Sequence, residues 1–124
     1  MDRISHSFLE HSGILAFAHR GDQDSGPENT MAAFEGAARL GFQYIETDVH
    51  ATADGVLLAF HDPILDRLTD QRGRIDRLEW SSLRHVRVAG TEPIARLEEI
   101  LGEFPDLRVN IEPKSDVAVE LLIN

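Results

Sequence analysis

Three stretches of this sequence set side chains that can bind cations, move protons or hold anions within or directly after apolar runs. His19-Arg20-Gly21 follows Ile14-Leu15-Ala16-Phe17-Ala18, and Glu112-Pro113-Lys114 follows Leu107-Arg108-Val109-Asn110-Ile111. Glu46-Thr47-Asp48 opens the run from Tyr44 to Asp62, which closes on His61-Asp62. Glu46, Asp48 and Glu112 could supply three hard oxygen ligands, a set that suits Ca²⁺ or Mg²⁺ far better than Zn²⁺. Packed together without a cation they would raise one another's pKa values, and a metal relieves that repulsion. His19 and His61 have ordinary pKa values of about 6.5, so near neutral pH one can act as base and the other as acid. Arg20 and Lys114 add positive charge beside the metal, and a metal with Arg and Lys makes a clamp for a phosphoryl group. Metal-assisted phosphodiester hydrolysis fits these parts.

The element that must bring them together is the Tyr44–Asp62 run. Its Asp54-Gly55 pair is a type I′ hairpin signal, since both central residues of that turn need positive φ. A two-residue loop there predicts pairing of Ala53 with Val56, Thr52 with Leu57, Val49 with Phe60 and Asp48 with His61. Glu46 and Asp48, two apart, then project to one face, with His61 opposite Asp48 on the same face. The plainer alternative is a half-exposed hairpin with a solvated Glu-Thr-Asp face. The other two stretches weigh against it, because strand ends in a parallel barrel share the face on which active sites are built.

In chain order, residues 1–12 read as a polar leader in which His6 and His11 take no role. A buried strand is expected at Ile14–Ala18, then a helix capped by Asn29 or Thr30 with Met31, Phe34, Ala37, Ala38 and Leu40 as its apolar stripe, ending at Gly41. A second strand is expected over Phe42–Val49. From Asp62 to Glu92 the pattern weakens into a charged stretch with a short helix at Leu78–Val86, which reads as an insertion (62–92) above the strand ends. Its arginines could meet a phosphate, although a charge-rich surface excursion is the commoner explanation, and Trp80 and His85 read as packing or surface residues. A helix over Ile94–Phe104, a third strand over Leu107–Ile111 and a helix from Val117 capped by Ser115 or Asp116 complete the chain. Alternating strands and helices argue for a parallel α/β architecture, with residues 13–124 as one unit. G-x-G-x-x-G, G-x-x-x-x-G-K and G-x-S-x-G fingerprints are all absent.

With 42% hydrophobic residues the chain can bury a core, while 22 acids against 12 bases give a net charge of −10. Such a field disfavours nucleic acid and anionic membrane surfaces and welcomes a metal cation. No cysteine occurs, which excludes disulfides and thiolate metal sites. The first dozen residues lack the apolar core of a signal peptide and no run approaches the roughly 20 residues of a membrane span, so a soluble, cytoplasmic protein is expected.

Taken together, H-R-G at 19–21, P-E-N-T at 27–30, E-T-D at 46–48, T-A-D-G at 52–55, H-D at 61–62 and N-I-E-P-K at 110–114 resemble the glycerophosphodiester phosphodiesterase family. The resemblance implies a TIM barrel that hydrolyses glycerophosphodiesters to an alcohol and glycerol 3-phosphate. By the same resemblance His19 and His61 would be the acid/base pair, Arg20 and Lys114 would stand at the phosphate, and Glu46, Asp48 and Glu112 would bind the divalent metal. The family's mechanism has the substrate's own glycerol hydroxyl attack, giving a cyclic phosphate that water opens. The sequence departs from the family at Ile94-Ala95-Arg96-Leu97, where Ile-Pro-Thr-Leu is usual, and at no catalytic position.

A TIM barrel takes roughly 250 residues and eight βα units, whereas about three are legible here. The expectation is therefore a partial barrel, in which the strands at Ile14–Ala18 and Leu107–Ile111 present unpaired edges, and the chain self-associates, needs the C-terminal half of the barrel or aggregates, with very low activity of its own. Two alternatives stand beside phosphodiesterase activity. One is a non-catalytic binding or structural remnant of the family, and the other a phospholipase-C-like lipid phosphodiesterase, disfavoured by the acidic charge and the lack of an apolar anchor.

Overall fold

The computed structural model describes residues 16–124. The expected leader over 1–12, with His6 and His11, and the first two residues of the expected first strand, Ile14 and Leu15, lie outside the described residues. Strand β1 (Phe17–His19) leads to helix α1 (Met31–Arg39), β2 (Tyr44–Ala51) and β3 (Leu57–Ala59). A 3₁₀ turn (Ile75–Arg77), α2 (Trp80–Leu83), β4 (Arg87–Val88) and β5 (Glu92–Pro93) follow, then α3 (Leu97–Glu103), β6 (Arg108–Pro113) and α4 (Asp116–Ile123). No helix among the described residues is long and apolar enough to cross a membrane.

Strand β2 is the centre. All eight of its residues are buried. It pairs in parallel with β1 (Phe17 with Tyr44, His19 with Glu46) and with β6 (Tyr44 with Arg108, Asp48 with Glu112), and antiparallel with β3 beyond the end of β1. Its side chains alternate as a pleat requires. Ile45 joins an apolar cluster with Ala18, Phe34, Ala37 and Ile100, and Val49 and Ala51 join one with Leu97 and Ala118. Glu46, Asp48 and His50 point the other way.

The helix caps follow from local chemistry. Thr30 Oγ1 accepts the Ala33 N–H at 3.3 Å to start α1, and Ser115 Oγ accepts the Ala118 N–H at 3.1 Å to start α4. Helix α1 closes at Leu40, and Gly41 follows with φ +88°. Helix α3 starts three residues later than the expected Ile94, because Ile94 and Ala95 are buried against β3, where Ala59 N–H donates to Ala95 O at 2.9 Å. The expected helix over Leu78–Val86 contracts to Trp80–Leu83.

The hairpin departs from the expected register. Among the described non-glycine residues only Arg20, Asn29 and Ala89 have positive φ, so Asp54 does not, and the type I′ turn is not made. Gly55 alone is left-handed (φ +82°), and Gly55 N–H donates to Thr52 O while Thr52 N–H donates to Val56 O. This is a three-residue loop with a bulge at glycine. The pairs are Val49 with Ala59 and Ala51 with Leu57, and Phe60, not His61, donates its N–H to Asp48 O. A one-residue slip would send His61 to the wrong face of a continued ladder. Strand β3 stops at Ala59, however, and the chain turns, so His61 reaches the site from a loop.

Residues 62–96 close over an apolar cluster of their own: Leu65, Ile75, Leu83, Val86, Val88 and Ile94 pack on Leu58 and Phe60 of the hairpin. Trp80 packs against this cluster and under the Arg96 guanidinium at 5.5 Å. The charged composition of this excursion describes its surface, and a core lies beneath.

Gly21 permits the first motif loop. It has φ +83°, and a Cβ there would lie 2.7 Å from Ala33 Cβ and 2.8 Å from Ala33 C. Gly55 has the same φ with nothing within 4 Å. Gly55→Ala should therefore cost ~1–2 kcal/mol from left-handed strain alone. Gly21→Ala adds overpacking worth about 1–3 kcal/mol. Denaturant midpoints measure both, and equal losses would show that the loop does not need this close approach to α1.

Candidate functional site

The site forms where β1, β2 and β6 end side by side. Parallel register sets His19 beside Glu46 and Glu112 beside Asp48, so three strand ends deliver their polar residues to one patch. Carboxylate oxygens of Glu46, Asp48 and Glu112 lie within 4.8 Å of one another. Glu46 and Asp48 are buried and Glu112 is exposed.

The two buried acids are treated differently. Burial works to raise Asp48, but the Asn29 amide at 3.1 Å from Oδ2, the Arg20 guanidinium and the Lys114 ammonium outweigh it and hold its carboxyl below the ordinary value. Arg20 Nε stands 3.1 Å from Asp48 Oδ2 as an ion pair without hydrogen-bond alignment, and Lys114 Nζ is 3.6 Å from Oδ1. For Glu46, burial followed by repulsion from Asp48 raises the carboxyl, and His19 and the Arg20 N–H only partly offset this. Glu46 Oε1 and Asp48 Oδ1 are buried and accept no hydrogen bond. Orphaned anionic oxygens converging with a third carboxylate form a donor set that fits a hard divalent cation.

Each sequence-derived candidate has a definite place. His19 Nε2 lies 3.5 Å from Glu46 Oε2, with its side chain 65% exposed. Arg20 adopts φ +59°, donates its N–H to Glu46 O at 2.9 Å and reaches Glu28 with NH1 at 2.8 Å. Left-handed backbone at a non-glycine residue is strained, and strain of this kind gathers at functional sites. Lys114 Nζ donates to Glu112 Oε1 at 2.9 Å, a bond that raises the lysine. His61 Nδ1 donates to Asp62 Oδ1 at 2.7 Å and leaves Nε2 as its other nitrogen. Six of the seven candidates border this patch, and His61 follows directly on Phe60, whose N–H donates to Asp48 O at 2.9 Å.

Residues outside the expected set also belong here. Asn29, expected only as a helix cap, is 2% exposed with φ +59°, and its amide donates to Asp48 while its carbonyl accepts from Thr47 Oγ1 at 2.9 Å. His50 continues the Glu46–Asp48 alternation, and that period was the signal for it. Burial lowers the His50 imidazole, which stays neutral and donates Nε2–H to His61 O at 2.9 Å. Glu28, Asp62 and Arg67 join His61 to Arg20 by ion pairs.

Residues 19–124 match the sequence model of the Glycerophosphoryl diester phosphodiesterase family. A Mycobacterium tuberculosis protein named "Probable glycerophosphodiester phosphodiesterase 2" is 45% identical over 118 residues, covering 94% of this chain and 45% of its own length. The crystal structure of a glycerophosphodiester phosphodiesterase from Agrobacterium tumefaciens superposes with a TM-score of 0.74 at 34% identity, over 78% of this chain and 46% of that one. An Oleispira antarctica phosphodiesterase, solved in complex with the product sn-glycerol-3-phosphate, superposes with a TM-score of 0.71 at 28% identity, over 87% and 51%. The chain thus spans about half the length of these relatives. The matched stretch begins at His19 and takes in every site residue described above, and the chain belongs to the glycerophosphoryl diester phosphodiesterase family.

Proposed function

We propose that this chain is the first part of a TIM-type barrel whose complete domain hydrolyses glycerophosphodiesters to an alcohol and glycerol 3-phosphate. One observation carries the reading: buried carboxylate oxygens without hydrogen-bond partners face a third carboxylate between Arg20 and Lys114. Relatives matched along only about half of their length support the partial barrel, as does a sheet in which, among the described residues, β1 and β6 each pair only with β2. The remaining strands, or a second copy, would cover those edges.

Glu46, Asp48 and Glu112 would hold Mg²⁺ or Ca²⁺. A cation bound there supplies charge neutralisation at a phosphoryl oxygen and favours ionisation of a hydroxyl beside it. Arg20 and Lys114 orient the phosphate and spread its charge. His61, with Nδ1–H held by Asp62, takes the attacking hydroxyl's proton at Nε2, and His19, open to solvent, gives a proton to the leaving alkoxide. The product bound by the Oleispira relative has the phosphate and glycerol that this arrangement would grip.

Two outcomes test the reading. The pKa of Glu46 is raised above 4.5, so its contribution to stability is present at low pH and is lost as pH rises through the raised value. Without metal, Glu46→Gln should therefore melt higher than wild type at pH 7. With Mg²⁺ or Ca²⁺ at a hundredfold excess over Kd, wild type should gain about 2.7 kcal/mol and Glu46→Gln/Asp48→Asn almost none. Equal gains in calorimetry would remove the metal site.

In the complete domain, His19→Ala and His61→Ala should each lower kcat by about 10²–10⁴-fold in the release of glycerol 3-phosphate from glycerophosphocholine. Near wild-type turnover with an unchanged pH profile would sink the role of that histidine. No turnover by the wild-type domain with either metal would sink the whole reading.

A further inference from the structure

We propose that Arg67, carried by the 62–96 excursion, is a positioning residue that locks His61 and Arg20 into a single arrangement, which makes the excursion part of the working site. This rests on the phosphodiesterase reading above. Arg67 places all three guanidinium nitrogens on two carboxylates, Asp62 at the start of its own excursion and Glu28 in the loop before α1. Nε and NH2 donate to Asp62 Oδ2 and Oδ1 at 2.9 and 3.1 Å, and NH1 donates to Glu28 Oε1 at 2.9 Å. Each carboxylate has a second duty. Asp62 Oδ1 accepts from His61 Nδ1 at 2.7 Å, and Glu28 Oε2 accepts from Arg20 NH1 at 2.8 Å.

The result is an alternating chain, Asp48–Arg20–Glu28–Arg67–Asp62–His61, running from the central strand to the histidine without a break. Within it Arg67 joins the Arg20–Glu28 pair to the Asp62–His61 pair. The acids it grips are shielded, with side chains 9% and 18% exposed, while Arg67 itself is 49% exposed. The Arg67 hydrogen bonds lead the effects that hold the Asp62 carboxyl at about 2, so Asp62 remains an anion that fixes the His61 tautomer. With its nitrogens committed, Arg67 acts on the site through its neighbours and does not meet the phosphate itself. A lysine cannot replace it, because one ammonium cannot span three oxygens of two carboxylates. Arg74, on the same excursion, provides the control, since it pairs with Asp76 two residues away.

The experiment uses the complete domain, with kcat, KM, pH–rate profile and melting temperature measured for Arg67→Gln, Arg67→Lys, Arg74→Gln and His61→Ala on glycerophosphocholine. The expected result is a loss of about tenfold or more in kcat for both Arg67 variants, with KM held within about twofold. The pH–rate profile of Arg67→Gln should differ from that of wild type, because Asp62 then loses the guanidinium that shares its carboxylate with His61. Arg74→Gln should match wild type. A folded Arg67→Gln that keeps wild-type kcat and pH profile overturns the proposal, as does a loss confined to KM, which would mark a direct substrate contact. If Arg67→Gln does not fold, Arg67→Lys is judged by the same kcat and KM criteria. Full turnover by His61→Ala would overturn the underlying reading, whereas an inactive His61→Ala beside active Arg67 variants would overturn this proposal alone.

Discussion

Two carboxylates on a strand with no solvent-facing residue set the terms for this fold. Glu46 is 7% and Asp48 1% exposed. Removing such groups from water costs several kcal/mol each unless charge or hydrogen bonds replace the lost hydration. The loops around β2 read as the answer to that cost. Arg20 and Asn29 both take left-handed backbone conformations and bring a guanidinium and an amide to Asp48, while Lys114 comes from the neighbouring strand end. The Arg20, Asn29 and Lys114 motifs are far apart in sequence and meet because β1, β2 and β6 are parallel and in register.

The compensation goes further for one acid than for the other. Each keeps a buried oxygen without a hydrogen bond, but Asn29, Arg20 and Lys114 hold the Asp48 carboxyl below its ordinary value, whereas burial and repulsion from Asp48 push Glu46 toward its neutral form. A fold built only for stability would put an apolar or amide side chain at position 46. Residual unfavourable charge is what a cation site looks like before the cation is counted, and it is the usual form of the trade between stability and function.

The excursion between the hairpin and α3 has two faces. Its apolar residues cover Leu58 and Phe60, and Asp54 at the hairpin turn accepts the Trp80 N–H, which ties the turn to the first helix of the excursion. Its charged residues lie outside, and one of them, Arg67, reaches back to the loops at the strand ends. The same segment thereby packs the hairpin and braces the polar site.

Much was legible in the residues alone. The strand and helix order, the helix caps to within one residue (Asn29 or Thr30, Ser115 or Asp116), the shared face of Glu46 and Asp48 and the placing of polar candidates at the strand ends follow from local periodicity, capping chemistry and motif spacing, all short-range properties of a chain. The hairpin register was not legible, because Asp54-Gly55 is compatible with a two-residue or a three-residue loop, and Asp54 is drawn away from positive φ by its bonds to Thr52 and Trp80. Nor was the excursion's core, whose Leu65, Ile75, Leu83 and Ile94 have no common period. They contact one another only after the chain has folded back on β3. Asn29 and Arg67 had local explanations, a cap and a surface charge, that their tertiary partners replaced. By itself the sequence determined which chemical groups stand at the strand ends. Tertiary structure alone decided which of them are buried, which are neutralised and which carboxylate oxygens are left without a hydrogen bond, since desolvation and Coulomb energies depend on distances between segments and not on their order along the chain.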